Sequence, residues 1–343
     1  MPVDLRSDTV TRPTPEMYAA MQTAPLGDDV LQDDPTIQEL EKVAAEMSGK
    51  EAAMFVSSGT QSNQIAIAVH CERGSSIIAE EESHILYYEG GGPAVIAGVV
   101  SWTVPSQRGT MDPEAIEKRI LTEDIHRPAT SLICVENTHN RHGGAIVPTA
   151  ALWAYREISD RNGVKLHLDG ARAFNAAVAL GVPIADITAP FDTVSLCLSK
   201  GLRSPVGSVL CGPADFMEKA RKWRKRLGGG MRQAGILAAC GLVSLRQMVD
   251  RLAEDHANAK LLATGLQGLN GLSTNLELVE TNMVMVETVE PAADWQARLH
   301  AAGVWCFPVA KHRLRLVTHA DVTAADIQNA IDVFSELSSQ TAQ

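Results

Sequence analysis

The chain has 343 residues, 45% of them hydrophobic and 21% charged, which is enough to bury a large core in one or two domains. Against 30 Lys and Arg stand 41 Asp and Glu, a formal charge of −11 that argues against a nucleic-acid binder working through a broad basic surface. No run approaches the roughly 18 apolar residues of a membrane span, and the opening MPVDLRSDTVTRP lacks the apolar stretch of a secretory signal. The expectation is a soluble cytoplasmic protein. The cysteines at 71, 134, 197, 211, 240 and 306 are scattered without a C-x-x-C pair. That spacing fits neither a disulfide framework nor a zinc site and suits a reducing compartment.

In chain order, DDPTIQELEKVAAEMSG reads as a helix capped by Asp34, with Pro35 at its first position and Gly49 as its stop. Ile37, Leu40, Ala44 and Met47 share one face of it. A short strand AAMFVS follows, then SSGTQSN, then the helical IAIAVHC. The runs SSIIAEEE, SLICVEN, VKLHLD, TVSLCLS and GSVLCG have the apolar character of strands covered on both faces, as in a parallel sheet. Helix signatures MDPEAIEKRIL and PTAALWAYREISDRNG lie among them, so the alternation predicts a doubly wound α/β sheet. After GGGMRQAG a long helical stretch is expected over roughly 235–269. A strand TNMVMVETV, a helix ADWQARLHAAG, a strand HRLRLVTH and a last helix opening at Thr323 complete a smaller α+β unit. The expected division is a large domain over 1–245 and a small one over 246–343.

Dinucleotide and P-loop fingerprints are absent, as are H-E-x-x-H and G-x-S-x-G. The informative pair is Asp169, ending VKLHLD, and Lys200, which follows TVSLCLS 31 residues later. A strand, a crossover and a second strand need about that length, so both side chains are expected at one carboxyl edge, where open α/β sheets bind ligands. An amine and a carboxylate there suit pyridoxal phosphate: the amine takes the aldehyde, and the carboxylate keeps the pyridine nitrogen protonated. Taken alone, such a pair is more often a strand-end salt bridge. SSGTQSN adds Gly59 and Thr60 at a helix start, where free N–H groups attract phosphate, although taken alone that string is far more often simple capping by serine. His84, between carboxylates and tyrosines in EESHILYYEGGG, is a candidate base. The basic run Lys219 to Arg226 reads first as a solvated face.

Together these strings resemble the low-specificity L-threonine aldolases of the fold type I pyridoxal-phosphate enzymes. The likeness is carried by DLRSDTVTRPT, GDDV with DDPT, GKEAA, SSGTQSN, SHILYYE, VENTHN, LHLDGARAFNA, CLSKGL with PVGSVL, GGGMRQAGILAA and RLVTH, in that order almost end to end. The resemblance implies an aspartate-aminotransferase-like large domain with a mainly parallel sheet and a small C-terminal α+β domain. It implies a Schiff base on Lys200, Asp169 at the pyridine nitrogen, Arg172 near the phenolic oxygen and substrate carboxylate, and Gly59 and Thr60 on the phosphate beside Ser199. It implies His84 stacked on the cofactor ring, Ser7 and Arg315 on the substrate carboxylate, and Lys225 and Arg232 near the phosphate across a subunit interface. His126 matches a second active-site histidine and, after His84, a second candidate base. A homotetramer with active sites between subunits is implied, and no metal site is expected. The sequence departs from the family pattern at Leu31 of GDDVLQDDP, where many relatives resemble GDDVYGDDP. That puts the contacts around the substrate's β-substituent in doubt.

The expected reaction is reversible cleavage of threonine or allo-threonine to glycine and an aldehyde. A phenylserine-preferring aldolase or a β-eliminating lyase of the same fold is the nearer alternative. A non-catalytic binding protein is the farther one.

Overall fold

The helix Pro35–Ser48 opens and closes on the signals its sequence carries. In the computed structural model, which describes residues 2–340, the Asp34 carboxylate accepts from the N–H groups of Thr36 at 3.1 Å and Ile37 at 3.0 Å. Gly49 ends the helix in the left-handed region, with φ 63°. Ile37, Leu40 and Ala44 are buried as their spacing predicts, and Met47 is half-buried. The outermost residues of the expected domain spans, 1 and 341–343, lie outside the described residues.

Seven strands form the main sheet, in the order Ala52–Val56, Ser208–Gly212, Thr193–Cys197, Lys165–Gly170, Thr130–Glu136, Ser76–Glu80, Val100–Val104. Ser208–Gly212 runs antiparallel to both its neighbours, and the other pairings are parallel. The sheet is therefore mainly parallel with one reversed strand, because ten residues between Cys197 and Ser208 are too few for a crossover but enough for a return. Both faces are covered. Ala53, Phe55, Ile78, Ile133 and Val135 join one apolar cluster, while Met54, Val56, Ile77, Ala79, Leu132 and Cys134 join clusters on the other side. Such alternation is the period of two expected of strands buried on both faces.

The stretch over 235–269 is not one helix but two, Gly235–Gln247 and Leu252–Leu266. The break falls at Met248–Arg251, where Val249 and Asp250 are poor helix formers. It lets the chain leave one core for another: Leu252 packs with the large sheet, whereas Ala259, Leu262 and Leu266 pack with Trp295, Leu314 and Phe334. That second core also holds Val3 and Leu5, since Val3–Asp4 pairs in parallel with Val304–Trp305. The Leu5 carbonyl accepts from Val317 N–H at 2.9 Å. The amino-terminal segment is thereby stitched beside the strand Arg313–Val317, which carries Arg315.

Candidate active site

Five strands of the large sheet deliver their carboxyl ends to one edge. Ala52–Val56 leads into the helix Gly59–His70, Ser76–Glu80 into His84, and Thr130–Glu136 ends on Glu136 itself. Lys165–Gly170 carries Asp169, and Thr193–Cys197 leads to Lys200. A cleft of about 460 Å³ opens there, lined by Ser7, His84, Tyr88, Arg172, Lys200 and Arg315 among others. Five residues expected from sequence thus meet in one place, and the pair at 169 and 200 stands on neighbouring strands as their spacing predicts.

The cleft's charges are unusually unpaired. Asp169 is 1% exposed, yet no described cation forms an ion pair with it; its oxygens accept from Asn63 Nδ2 at 2.9 Å and Ala171 N–H at 3.2 Å. Lys200 has no carboxylate partner among the described residues; its carbonyl accepts from the Thr11 hydroxyl and from Arg203 N–H, each at 2.9 Å. Arg315 donates to Asn140 Oδ1 at 2.6 Å and the Arg6 carbonyl at 3.4 Å, and its buried Nε has no partner. Burial and the nearby Arg172 hold the Arg315 guanidinium below its ordinary range. A buried carboxylate without a cation costs several kcal/mol unless something positive joins it.

Arg172 is tied differently. Asp8 grips it from two sides, Nε to Oδ2 at 2.8 Å and Nη2 to Oδ1 at 2.7 Å, and both residues are buried. Burial alone would raise the Asp8 carboxyl, but Arg172 outweighs it and brings the group down to about 2. Part of the donor fork expected to meet ligand is therefore committed to Asp8. Ser7 caps the short turn Asp8–Val10, accepting from Thr9 N–H at 3.2 Å.

The helix after SSGTQSN begins at Gly59, earlier than IAIAVHC suggests, with Ser58 as cap. Its first N–H groups, on Gly59 and Thr60, have no carbonyl within the helix to serve. The buried Ser208 hydroxyl, also unpartnered, stands near Gly59, where an added Cβ would meet it at 3.7 Å. Donors of this kind fit a phosphate group. Ser199 is half-buried, 3.5 Å from Cys197 Sγ. Unpaired carboxylate, unpaired amine and free helix amides together fit pyridoxal phosphate.

His84 and its surroundings contain what sequence reading missed. Its Nδ1 lies 2.9 Å from Oε1 of Glu89, and its backbone N–H donates to Glu136 at 2.6 Å. Glu89 also accepts from Asn63 at 2.8 Å and Gln64 at 2.5 Å. Asn63 and Glu89 both fall inside strings singled out above, and a carboxylate five residues after a candidate base on a helical turn is the signal that points to the second. Against burial, Glu89 and the other nearby carboxylates pull the His84 imidazole above its ordinary value.

Besides Gly59, Thr60, Asp169 and Ser199, four further expected residues do not line this cleft. His126 is exposed in the turn at Asp124–Arg127, its N–H on Asp124 at 2.8 Å. Leu31 is 70% exposed, Arg232 reaches Asp28 at 3.1 Å, and Lys225 lines a separate basic groove with Val30, Arg221 and Lys222. Leu31 and Arg232 lie beside that groove, since the Asp29 N–H donates to the Arg232 carbonyl at 3.0 Å.

Comparison with known proteins fits this architecture. The fold is that of the fold type I enzymes: a solved threonine aldolase from Leishmania major superposes with a TM-score of 0.84 at 20% identity, covering 98% of this chain and 100% of that one. Residues 4–290 match the β-eliminating lyase family, and the chain belongs to it. It is 46% identical to a probable low-specificity L-threonine aldolase 2 of Arabidopsis thaliana, over 98% of this chain and 97% of that protein. It is 43% identical to the low specificity L-threonine aldolase of Escherichia coli K12, over 94% and 95%.

Proposed function

We propose that the protein cleaves L-threonine, L-allo-threonine and related β-hydroxy-α-amino acids reversibly to glycine and an aldehyde, with pyridoxal phosphate as cofactor. One observation carries the reading furthest: Lys200 and Arg315 line one cleft, Asp169 stands buried at the same sheet edge, and none of the three has an ion-pair partner among the described residues. Each is what a different part of a cofactor–amino acid pair requires. Lys200 would hold the cofactor's aldehyde, Asp169 would pair with its pyridine nitrogen, and Gly59, Thr60 and Ser199 would hold its phosphate. The cofactor, when bound, supplies a ring that accepts the charge left at Cα. Arg315, with Ser7 and the part of Arg172 not bound to Asp8, grips the substrate carboxylate and so fixes which bond at Cα faces that ring. His84 takes the β-hydroxyl proton; the C–O bond becomes a carbonyl as Cα–Cβ breaks, and a proton returned to Cα releases glycine.

The exposed set at Leu31, His126, Lys225 and Arg232 supports a homotetramer in which a second copy brings these residues to the cleft. Mixing Lys200→Ala with Lys225→Ala subunits tests it. Recovered activity is expected if the site is shared, and additive loss overturns sharing. Six buried, unpaired cysteines support residence in a reducing, cytoplasmic compartment.

The direct test is borohydride reduction of the cofactor-loaded protein, peptide mapping, and product analysis with threonine. Label on Lys200 with glycine and acetaldehyde is expected. No adduct at Lys200, or pyruvate and ammonia as the main products, overturns the reading.

A further inference from the structure

A directed chain of hydrogen bonds runs beneath the cleft. His70 Nε2 and His167 Nδ1 each lie 2.9 Å from the Thr193 hydroxyl, and His167 Nε2 lies 3.1 Å from Asn63 Oδ1. Asn63 Nδ2 then reaches both Glu89 Oε1 at 2.8 Å and Asp169 Oδ2 at 2.9 Å. Burial holds His70 down at about 3 and His167 at about 4, so both are neutral and each offers one donor and one acceptor. Only one direction satisfies every member. His70 donates to Thr193, Thr193 to His167, His167 to the Asn63 carbonyl, and the Asn63 amide gives both hydrogens to carboxylates. The reverse direction would require Glu89 and Asp169 both to be protonated.

Gln64 Nε2 donates to the other Glu89 oxygen at 2.5 Å. Glu89, whose side chain is fully buried, is thus an acceptor toward every neighbour. The only hydrogen that fits between it and His84 is on Nδ1 of the imidazole.

We infer that Glu89 is a positioning residue, holding His84 as the Nδ1–H tautomer so that its Nε2 faces the cleft as a proton acceptor, and setting the pH at which it becomes one. The inference rests on the function proposed above. Nδ1 is engaged at 2.9 Å, whereas Nε2 has no hydrogen-bond partner among the described residues, and His84 lines the cleft together with Lys200 and Arg172. The groups facing His84 are Glu89 on its own turn, Glu136 at the neighbouring strand end, Asp169 on the next strand, and Tyr88, whose ring lies 5.4 Å away. Tyr88 is held in turn by Arg141 at 3.1 Å, and Lys200, Arg172 and Arg315 face the same cleft. Three carboxylates near one imidazole favour its charged form, so the base is freed only as pH rises through a raised pKa. Burial and the nearby Asp169 hold the Glu89 carboxyl above its ordinary value against the pull of the His84, Asn63 and Gln64 contacts, and it is the donors around it that require a carboxylate opposite Nδ1.

The test measures His84 itself. Deuterium exchange at the imidazole Cε1, read by peptide mass spectrometry on the full-length protein with and without pyridoxal phosphate, gives the pKa of each histidine. In the wild type, His84 is expected above the ordinary value of about 6.5. In Glu89→Gln it is expected to fall by about 1 unit or more, with exposed His312 unmoved as a control. The acid limb of kcat should move to lower pH by the same amount, with plateau kcat down ~10- to 100-fold and KM changed far less. Glu89→Asp, which keeps the charge, should restore part of the pKa. A folded Glu89→Gln with His84 and the acid limb unmoved overturns the inference. If that variant does not fold, a wild-type His84 pKa at or below the ordinary value overturns it alone. Borohydride labelling of Lys200 in the same samples separates this failure from failure of the proposed function.

Discussion

Two clusters of buried carboxylate and histidine sit at the same sheet edge, their strands Ser76–Glu80 and Lys165–Gly170 separated only by Thr130–Glu136, and they are built to opposite ends. At the end of Ser76–Glu80, Glu80 accepts from His139 at 2.9 Å, His142 at 3.3 Å, the Ser106 hydroxyl at 2.9 Å and Glu82 N–H at 2.7 Å. Its lone pairs are filled, and those contacts outweigh burial to hold its carboxyl well below the usual range. Beside it, Asp169 is left without a cation, and one edge of the His84 ring is left to the cleft. A carboxylate filled by donors marks a cluster that holds the fold, even with His139 Nδ1 left unpartnered, while a buried carboxylate without a cation marks one that awaits a ligand. Donor atoms of Glu80, His139 and His142 also lie within 4.8 Å of one another, a spacing able to hold a metal ion. The four hydrogen bonds already made to Glu80 explain their convergence without one.

The sharpest way to break this contrast is to remove a member of the unsatisfied set. Lys200→Ala is expected to abolish aldol cleavage and the borohydride adduct while leaving thermal stability close to that of the wild type, because no described ion pair is lost. Retained cleavage would show that the deficit in the cleft is not functional. Glu80→Gln should do the reverse, costing about 3 kcal/mol of unfolding free energy by leaving a buried histidine without its carboxylate and changing KM little. Urea unfolding against steady-state kinetics reads both. A Glu80→Gln protein of normal stability would erase the distinction.

Asp8 sharpens it further, since it lies buried between the cleft-lining Ser7 and Thr9 and is gripped by Arg172. Its folded pKa of about 2 lies below the ordinary aspartate value of about 3.9, so the pair contributes stability that is fully present above about pH 4. That contribution, about 2 kcal/mol, is lost as pH falls from 4 toward 2. Acid unfolding of the wild type and of Asp8→Asn should therefore converge at pH 2 and diverge by pH 5. Parallel curves across that range would show that Arg172 is not held by an ionised Asp8.

How much of this was legible in the sequence follows from what each feature depends on. Asp169 and Lys200 could be placed at one edge because strand and crossover lengths are local quantities. The cap at Asp34 and the stop at Gly49 are local too. The reversed strand Ser208–Gly212 was not legible, because a strand buried on both faces has the same apolar pattern in either direction. Nor was the break at Met248–Arg251, which follows from the chain passing between two cores. Asn63 and Glu89 escaped for a related reason. Their meaning lies in hydrogen bonds across 26 and 106 positions of sequence, which no spacing rule reaches.

Arg315 is the cation of the unsatisfied set whose loss should be graded. Arg315→Lys keeps the charge but loses the fork, and a charged hydrogen bond worth about 1.5 kcal/mol corresponds to a rise in KM of about tenfold. An unchanged KM for threonine would remove Arg315 from the substrate carboxylate.

The smallest expected effect is at Leu31, and it tests whether the cleft as one chain builds it is the whole site. Within a single chain Leu31 is 70% exposed in the turn Asp29–Leu31, beside the basic groove rather than the cleft, and an apolar side chain there has little to contact. If the chain acted alone, Leu31→Tyr would leave kinetics unchanged. In the shared-site assembly a tyrosine hydroxyl at this position enters a neighbour's cleft near the β-substituent, where Leu31 keeps the wall apolar and tolerant of bulky groups. The expected result is a shift of a few-fold, on the order of 1 kcal/mol, in the ratio of kcat/KM for threonine over phenylserine, toward threonine. The ratio should move while Lys200 labelling and unfolding free energy do not, because the residue touches neither the cofactor groove nor the core of its own chain. An unmoved ratio in a protein shown by mass to be tetrameric would keep Leu31 out of the substrate's reach and confine specificity to the residues that line one chain's cleft.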